Sequence, residues 1–261
     1  MKIEGKTFIV TGGASGLGAA TVNHLISLGA KVVIFDVLDE KGKQIESEHP
    51  DSVLYVHVDV CDEKQAQQGI DELVKKFGNT LYGVVNAAGI GDPRRVYNPK
   101  KGEAHPLDAF NRVLAVNVSG TFNVLRLAVA QMMKQNAPLC GKDKERGIII
   151  NTASIAAYEG QIGQASYSAS KGAVVSMTLP IARELSNYNI RCVTIAPGLF
   201  LTPMLMSLSD KVRESLGKQV PFPPRLGDPP EYAKLVQFLI ENPMMNGEVV
   251  RLDGSIRMSS L

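Results

Sequence analysis

Three side chains in the middle of the chain have types and spacings suited to moving a proton. Tyr167 and Lys171 stand four residues apart and therefore share one face of a helix. A tyrosine of ordinary pKa is a poor base at neutral pH, and a nearby ammonium would lower that pKa. Ser154 could hold a substrate oxygen by a hydrogen bond. The trio suits acid–base catalysis at an alcohol or ketone. A Tyr-x3-Lys pair on its own is more often an exposed helix face.

A glycine-rich turn, Thr11 to Gly18, joins the first apolar strand to a helix. Glycines at such a turn let the backbone approach a pyrophosphate at the helix N-terminus. The spacing Gly-x3-Gly-x-Gly differs from the common dinucleotide fingerprint, so a turn kept for packing alone is the alternative. The predicted cofactor contacts within the turn are Gly12, Ser15, Gly16, Leu17 and Gly18.

Two aspartates follow the next two apolar strands. Asp36 ends the second strand, where a carboxylate can accept both ribose hydroxyls of an adenosine and repel a 2′-phosphate. No basic residue stands at Ala14 or in the Val37-Leu38 pair, so NAD is favoured over NADP. Asp59 and Val60 could contact the adenine, although Asp59 could equally cap a helix.

Small residues follow the fourth strand in the run Asn86-Ala87-Ala88-Gly89. They would let a cofactor lie against the backbone at Ala87 and Gly89, while Asn86 ties neighbouring strands together. A plain tight turn is the simpler alternative, and both interpretations can hold.

Short apolar runs alternate with helical patterns along the whole chain. Runs that are apolar on both faces and separated by helices indicate a parallel sheet covered on both sides. We therefore predict one doubly wound α/β domain over residues 1–261, with helices near 19–28, 107–135 and 165–186. The polar stretches 92–106 and 136–147 are predicted to be surface loops. The seven predicted strands are Thr7–Val10, Lys31–Phe35, Val53–Val58, Leu81–Val85, Gly147–Asn151, Arg191–Ala196 and Glu248–Leu252.

The bulk properties exclude several classes of protein. A net charge of +2 is too small to favour nucleic acid or membrane binding by the protein's field alone. The three cysteines are far apart and form no metal-ligand pattern, which fits a reducing compartment and predicts no metal site. The first residues run straight into a strand and leave no room for a cleavable secretion signal. No apolar run reaches the roughly 18 residues that would suggest a membrane-spanning helix.

Together, these motifs resemble those of the short-chain dehydrogenase/reductase family in order and spacing. The resemblance implies a Rossmann fold, a nicotinamide cofactor and a Ser-Tyr-Lys-Asn tetrad. Asn117, in Val116 to Gly120, matches the family's helix asparagine, which would hold a water through which Lys171 relays protons. Alternatively, Asn117 could merely fill a helix kink. The run from Pro197 to Thr202 matches the segment beside the nicotinamide. It implies cofactor contacts at Pro197, Gly198, Phe200 and Thr202.

The similarity is greatest to the 3-hydroxyacyl-CoA dehydrogenase branch of that family and covers nearly the whole chain. Four runs carry it: Arg146–Ser154, Gly160–Ala165, Arg225–Pro229 and Asn246–Gly254. This branch implies reversible oxidation of a 3-hydroxyacyl-CoA, with substrate contacts at Ser154, Gln161 and Tyr167. A hydroxysteroid or another secondary alcohol is the alternative substrate. A scaffold acting with RNA-processing partners is the rival from another class, although the intact tetrad argues against a purely structural protein.

Further expectations rest on the same resemblance. Relatives form homotetramers that pair the helices over 107–135 and 165–186. They act in the mitochondrial matrix, but this chain begins closer to its first strand than animal relatives do, so the cytoplasm is the alternative. Lys100 and Lys101 are candidates to meet the phosphates of coenzyme A, with Lys142, Lys144 and Arg146 as weaker ones. Solvated loop charges are the simpler explanation for all five.

Overall fold

A seven-stranded, fully parallel sheet forms the centre of the computed structural model, which describes residues 1–135, 138–206 and 209–259. The strand order is β3-β2-β1-β4-β7-β8-β9. The predicted doubly wound α/β fold is confirmed, with each strand boundary within two residues of its expected place. The strands are β1 (Thr7–Thr11), β2 (Lys31–Asp36), β3 (Val53–His57), β4 (Gly83–Asn86), β7 (Gly147–Thr152), β8 (Ile190–Pro197) and β9 (Val249–Leu252).

Helices cover both faces of the sheet because neighbouring strand residues point to opposite sides. On one face, Phe8 and Val10 pack against α1 (Gly16–Ser27) and α9 (Pro229–Glu241). On the other face, Ile9 packs against α3 (Glu63–Phe77), α5 (Thr121–Lys134) and α6 (Ala165–Ser186). The remaining helices are α2 (Asp39–Glu48), α4 (Leu107–Leu114), α7 (Pro203–Met206) and α8 (Asp210–Gly217).

The predicted long helix over 107–135 is interrupted. Residues Ala115–Gly120 form a π-helical turn between α4 and α5, and Asn117 lies buried inside it. By length and composition the run Leu107–Lys134 could cross a membrane. The run is apolar because part of it lies in the protein core, where Val113, Val124 and Met132 are fully buried.

Both predicted surface loops contain structure that the sequence analysis did not anticipate. Residues 92–106 include a short antiparallel hairpin of β5 (Tyr97–Asn98) and β6 (Glu103–Ala104). In the stretch 136–147, residues 136 and 137 lie outside the described residues. Glu145 in that stretch is buried rather than solvated, and Gly147 already begins β7. The loop prediction therefore holds only for the exposed residues of each stretch.

A buried arginine fastens the end of α9 to the sheet. Arg191 in β8 donates hydrogen bonds to the Glu145 carboxylate, which also accepts one from the amino group of Met1. Because the last carbonyls of a helix lack partners within it, this guanidinium supplies donors that the helix cannot. It donates to the carbonyls of Leu239, Ile240, Asn242 and Met245.

We predict that Arg191→Leu lowers the free energy of unfolding by about 3 kcal/mol or more, because buried acceptors lose their donor. Urea unfolding followed by circular dichroism measures the loss. Arg183→Leu, at an exposed position on α6, is the control and should change stability by less than about 0.5 kcal/mol. Equal stability of the two variants would contradict the role of Arg191.

Candidate active site

A cleft of about 900 Å³ lies at the carboxyl edge of the sheet. Residues from the first βα turn, from the ends of β2, β3, β4, β7 and β8, and from α6 line it. Every residue predicted from the motifs to bind coenzyme or substrate or to act in catalysis lines this cleft, except Asn86 and Asn117, which are buried. The five basic loop residues considered for the coenzyme A phosphates lie outside it. One cleft therefore holds both the glycine turn and the proton-transfer trio.

The glycine turn is shaped by close approaches that only glycine permits. Gly12 has φ +65°, and a Cβ there would stand 2.8 Å from the backbone nitrogen of Ala88. A Cβ on Gly18 would collide with the carbonyl oxygen of Gly12. Ser15 precedes α1, whose first backbone amides lack acceptors inside the helix. The turn thus presents bare backbone and a helix N-terminus to the cleft, which suits a pyrophosphate.

Asp36 is held rigidly where the ribose of a dinucleotide would lie. Its Oδ2 accepts a hydrogen bond from the Ala14 amide at 2.9 Å, and its Oδ1 accepts one from the Leu38 amide at 3.1 Å. A carboxylate oxygen can accept more than one hydrogen bond, so both oxygens keep capacity for ribose hydroxyls. The position fits the predicted role and gives the carboxylate a fixed orientation.

Asp59 and Val60, which are predicted to contact an adenine, line the cleft just after β3. Asp59 is exposed, and its Oδ1 accepts a hydrogen bond from the Cys61 amide. Asp62, not Asp59, caps α3, so the helix-cap alternative for Asp59 is wrong. Val60 lies against Gly120, where a Cβ would stand 2.5 Å from the valine side chain.

Lys171 lies in the wall of the cleft, where its surroundings change its acidity. The side chain is buried, and its Nζ donates a 2.8 Å hydrogen bond to the carbonyl oxygen of Thr152. Burial disfavours the ammonium and lowers the pKa of Lys171 to about 8. The amine lies 5.6 Å from the centre of the Tyr167 ring, on the same helix face, as the spacing predicts.

Tyr167 forms a hydrogen bond with Ser154, so the two groups that would share a substrate oxygen lie together. Burial raises the pKa of Tyr167, and its hydrogen bond with Ser154 only partly opposes that rise. The spacing of Tyr167 and Lys171 predicts that the lysine ammonium lowers the pKa of Tyr167. That prediction is wrong for the protein's own groups, because burial raises this pKa by more than the hydrogen bond with Ser154 lowers it.

The two buried asparagines support the cleft wall. Asn117 Oδ1 accepts from the Ile90 amide at 2.8 Å, and its Nδ2 donates to the Ile90 carbonyl and to Ser170 Oγ. Its amide is therefore engaged by protein groups and ties the segment after β4 to α6. Asn86 Nδ2 donates to Asn151 Oδ1 at 2.9 Å, which links β4 to β7.

The segment from Pro197 to Thr202 forms the wall of the cleft beside the glycine turn. A Cβ on Gly198 would stand 2.9 Å from the Cα of Asp253, so the chain passes close to the end of β9. Thr202 lies beside Gly16, which brings this segment against the start of α1. The segment and α6 therefore line the same cleft.

The sequence analysis missed several residues of the cleft. Thr152 holds Lys171 through a backbone carbonyl, which no side-chain pattern reveals. Apolar residues from the segment after β8, from α7, from α8 and from the segment after β9 also line the cleft, and only tertiary packing brings them together. Those residues are Leu199, Leu205, Leu216 and Met258. Within the described part of the chain, no cluster of three metal-ligating side chains occurs.

Comparisons with known proteins agree with this geometry. A family model described as short chain dehydrogenase matches residues 6–213. The human 3-hydroxyacyl-CoA dehydrogenase type-2 is 53% identical over 256 residues, covering 98% of this chain and 97% of that protein. A 3-alpha-(or 20-beta)-hydroxysteroid dehydrogenase of Mycobacterium bovis is 36% identical over 239 residues, covering 91% and 83%. The crystal structure of 3-hydroxyacyl-CoA dehydrogenase type-2 from Mycobacterium avium superposes with a TM-score of 0.92, at 39% identity and 98% coverage of each chain.

We predict that Lys171→Met stabilises the protein purified without coenzyme by roughly 2 kcal/mol at pH 7. A pKa depressed from 10.5 to about 8 means that the unfolded chain binds this proton more tightly than the folded one. The cost of burying the charge is complete below pH 8 and disappears as pH rises to 10.5. The lost hydrogen bond to Thr152 offsets part of the gain.

Urea unfolding at pH 7 and at pH 10 tests this prediction. The advantage of Lys171→Met should shrink at pH 10. Lys41→Met, at an exposed position on α2, should show no such change with pH. A destabilised Lys171→Met protein at both pH values would show that the lysine is held by favourable contacts instead.

Proposed function

The chain belongs to the short-chain dehydrogenase/reductase family, and from that premise we propose that it oxidises 3-hydroxyacyl-CoA to 3-ketoacyl-CoA reversibly, with NAD as the coenzyme. The observation that carries the proposal is the meeting of Ser154, Tyr167 and Lys171 in a cleft that apolar side chains also line. The relatives named for this substrate are the second support, since they align over nearly the whole chain.

The geometry gives each catalytic residue a separate task. Ser154 holds the substrate hydroxyl oxygen by a hydrogen bond, and Tyr167 takes the proton from that oxygen. A bound nicotinamide would supply the carbon that accepts the hydride and, when oxidised, a positive charge near Tyr167. Tyr167 needs this additional charge because burial alone raises its pKa. Lys171, once it turns from the Thr152 carbonyl, can hold the ribose and relay the proton.

NAD is the proposed coenzyme because the Asp36 carboxylate lines the part of the cleft that would hold the adenosine ribose. Its carboxylate is already oriented by the Ala14 and Leu38 amides. Two hydroxyls of an unmodified ribose can bind it, whereas a 2′-phosphate would be repelled by its charge. Membership of the family implies a nicotinamide coenzyme, and the choice between NAD and NADP rests on Asp36.

A hydroxysteroid is the second candidate substrate. The apolar side chains that line the cleft suit a steroid as well as an acyl chain, and the Mycobacterium bovis relative is named for steroids. Lys100 and Lys101 lie in the exposed turn of the hairpin, where they stay candidates for the coenzyme A phosphates. Lys142, Lys144 and Arg146 precede β7 and lie at the opposite edge of the sheet, so this role is wrong for them.

Assembly, compartment and a second role stay predictions. Exposed apolar side chains on α5 and α6, Phe122 and Leu179, support a homotetramer that pairs these helices. The mitochondrial matrix is the expected compartment by resemblance, and the cytoplasm is the alternative. An additional role with RNA-processing partners is compatible with an intact catalytic site.

We predict that Tyr167→Phe lowers kcat for a 3-hydroxyacyl-CoA by about 100-fold or more, because the proton acceptor is lost. NADH formation measured with acyl-CoA and steroid substrates side by side tests both the residue and the substrate class. Binding of NADH, followed by the fluorescence of the coenzyme itself, should stay within about two-fold. Wild-type turnover of steroids alone would reject the acyl-CoA proposal, and an active Phe variant would reject Tyr167 as the base.

For the coenzyme, Asp36→Ala should weaken NAD binding and reduce the preference over NADP by at least about ten-fold. The substitution removes two hydrogen bonds to ribose and one charge that repels the 2′-phosphate. Dissociation constants for both coenzymes, measured on one preparation, give the ratio. Glu40→Gln, which changes a nearby exposed carboxylate on α2, is the matched control. An unchanged ratio in Asp36→Ala would overturn the role of Asp36.

A further inference from the structure

The segment Ile256–Ser259 forms part of the cleft wall although no strand or helix holds it. Ile256 is fully buried against Ile155 and Val220, and Ile155 directly follows Ser154. Met258 lines the cleft and packs with the same cluster. The segment therefore borders the substrate end of the cleft, beside Ser154, and not the end that faces Asp36.

Side chains from outside the segment make hydrogen bonds to its backbone. Glu159 Oε2 accepts a hydrogen bond from the Met258 amide at 3.0 Å. Arg251 donates to the Ile256 carbonyl at 3.1 Å, and Gln161 donates to the Ser259 carbonyl at 3.2 Å. Because these contacts come from the loop after β7 and from β9, they attach the segment to two parts of the sheet edge.

Glu159 is the centre of this attachment. Its Oε1 pairs with Arg251 at 2.8 Å and with Arg257 at 3.4 Å, while its other oxygen holds Met258. The hydrogen bond from Arg251 holds the pKa of Glu159 below its usual range. The carboxylate is only 18% exposed, so solvent screens these pairs less than it screens surface pairs.

We propose that Glu159 is a positioning residue for substrate selectivity: with Arg251 and Arg257 it fixes the segment Ile256–Ser259 so that Met258 limits the length of the acyl chain. Met258 faces a space that Leu205 and Leu216 also line. A fixed methionine there favours chains that end before it. A released methionine gives longer chains room. This selectivity rests on the proposed function, since it concerns the acyl part of that substrate.

Selectivity is tested by comparing kcat/KM for 3-hydroxyacyl-CoA substrates with 4 and 12 carbons, in wild type, Glu159→Gln and Met258→Ala. Both variants should shift the ratio toward the longer chain by at least about five-fold, mainly through KM, because a contact in an apolar pocket discriminates on this scale. In Glu159→Gln, kcat for the short substrate should stay close to wild type. Glu184→Gln, on an exposed face of α6, and Met244→Ala, at a methionine that is 90% exposed, are the matched controls.

A second measurement tests the attachment without any substrate. Trypsin should cleave after Arg257 faster in Glu159→Gln than in Glu184→Gln, and intact mass would show the loss of residues 258–261. If wild type oxidises no 3-hydroxyacyl-CoA, the proposed function fails and the cleavage rates still decide whether Glu159 holds the segment. Unchanged cleavage, or a shifted ratio in Met258→Ala with none in Glu159→Gln, would overturn the positioning role. An equal loss of activity with both chain lengths would also overturn it.

Discussion

The cleft exists because two neighbouring strands send their chains to opposite faces of the sheet. β1 lies beside β4, yet α1 follows β1 onto one face while α5, the long helix after β4, packs on the other. A crevice opens where the connections diverge, at the carboxyl ends of the strands. Gly12 and Ala88 approach each other closely at its base, so any side chain at position 12 would collide with the backbone that follows β4. Every other property of the site depends on this divergence.

The crevice also determines the electrostatics of catalysis. A lysine at its inner wall lies away from water and is held by the Thr152 carbonyl, not by a carboxylate. Such a group loses its proton more easily than a surface lysine, and a tyrosine beside it is harder to ionise. At pH 7 the tyrosine is therefore neutral and the lysine still carries its proton, so the additional charge that would favour ionisation of the tyrosine is left to what binds. This arrangement links proton transfer to coenzyme binding.

Much of the fold and site could be predicted because the sequence shows it locally. Each strand of the large sheet is a short apolar run, and Tyr167, Lys171, Ser154 and Asp36 have side chains whose chemistry is specific to their positions. The hairpin of β5 and β6 could not be predicted because each strand has only two residues, which are too few to show an alternation of apolar and polar side chains. The direction of the Tyr167 pKa was missed because burial depends on tertiary packing. Thr152 and Met258 were missed because a backbone carbonyl and a lone methionine have no sequence signature.

The edge of the sheet opposite the cleft has a practical consequence for experiments. Cys140 and Glu145 pair across a small turn there, immediately before β7, and the residues between them are exposed. Gly141 has a φ of +63° and no neighbour within 4 Å of an added Cβ. A fluorescent label or an affinity peptide placed in this turn would sit a full strand length from the chemistry. Surface immobilisation through it would leave the mouth of the crevice facing the solution.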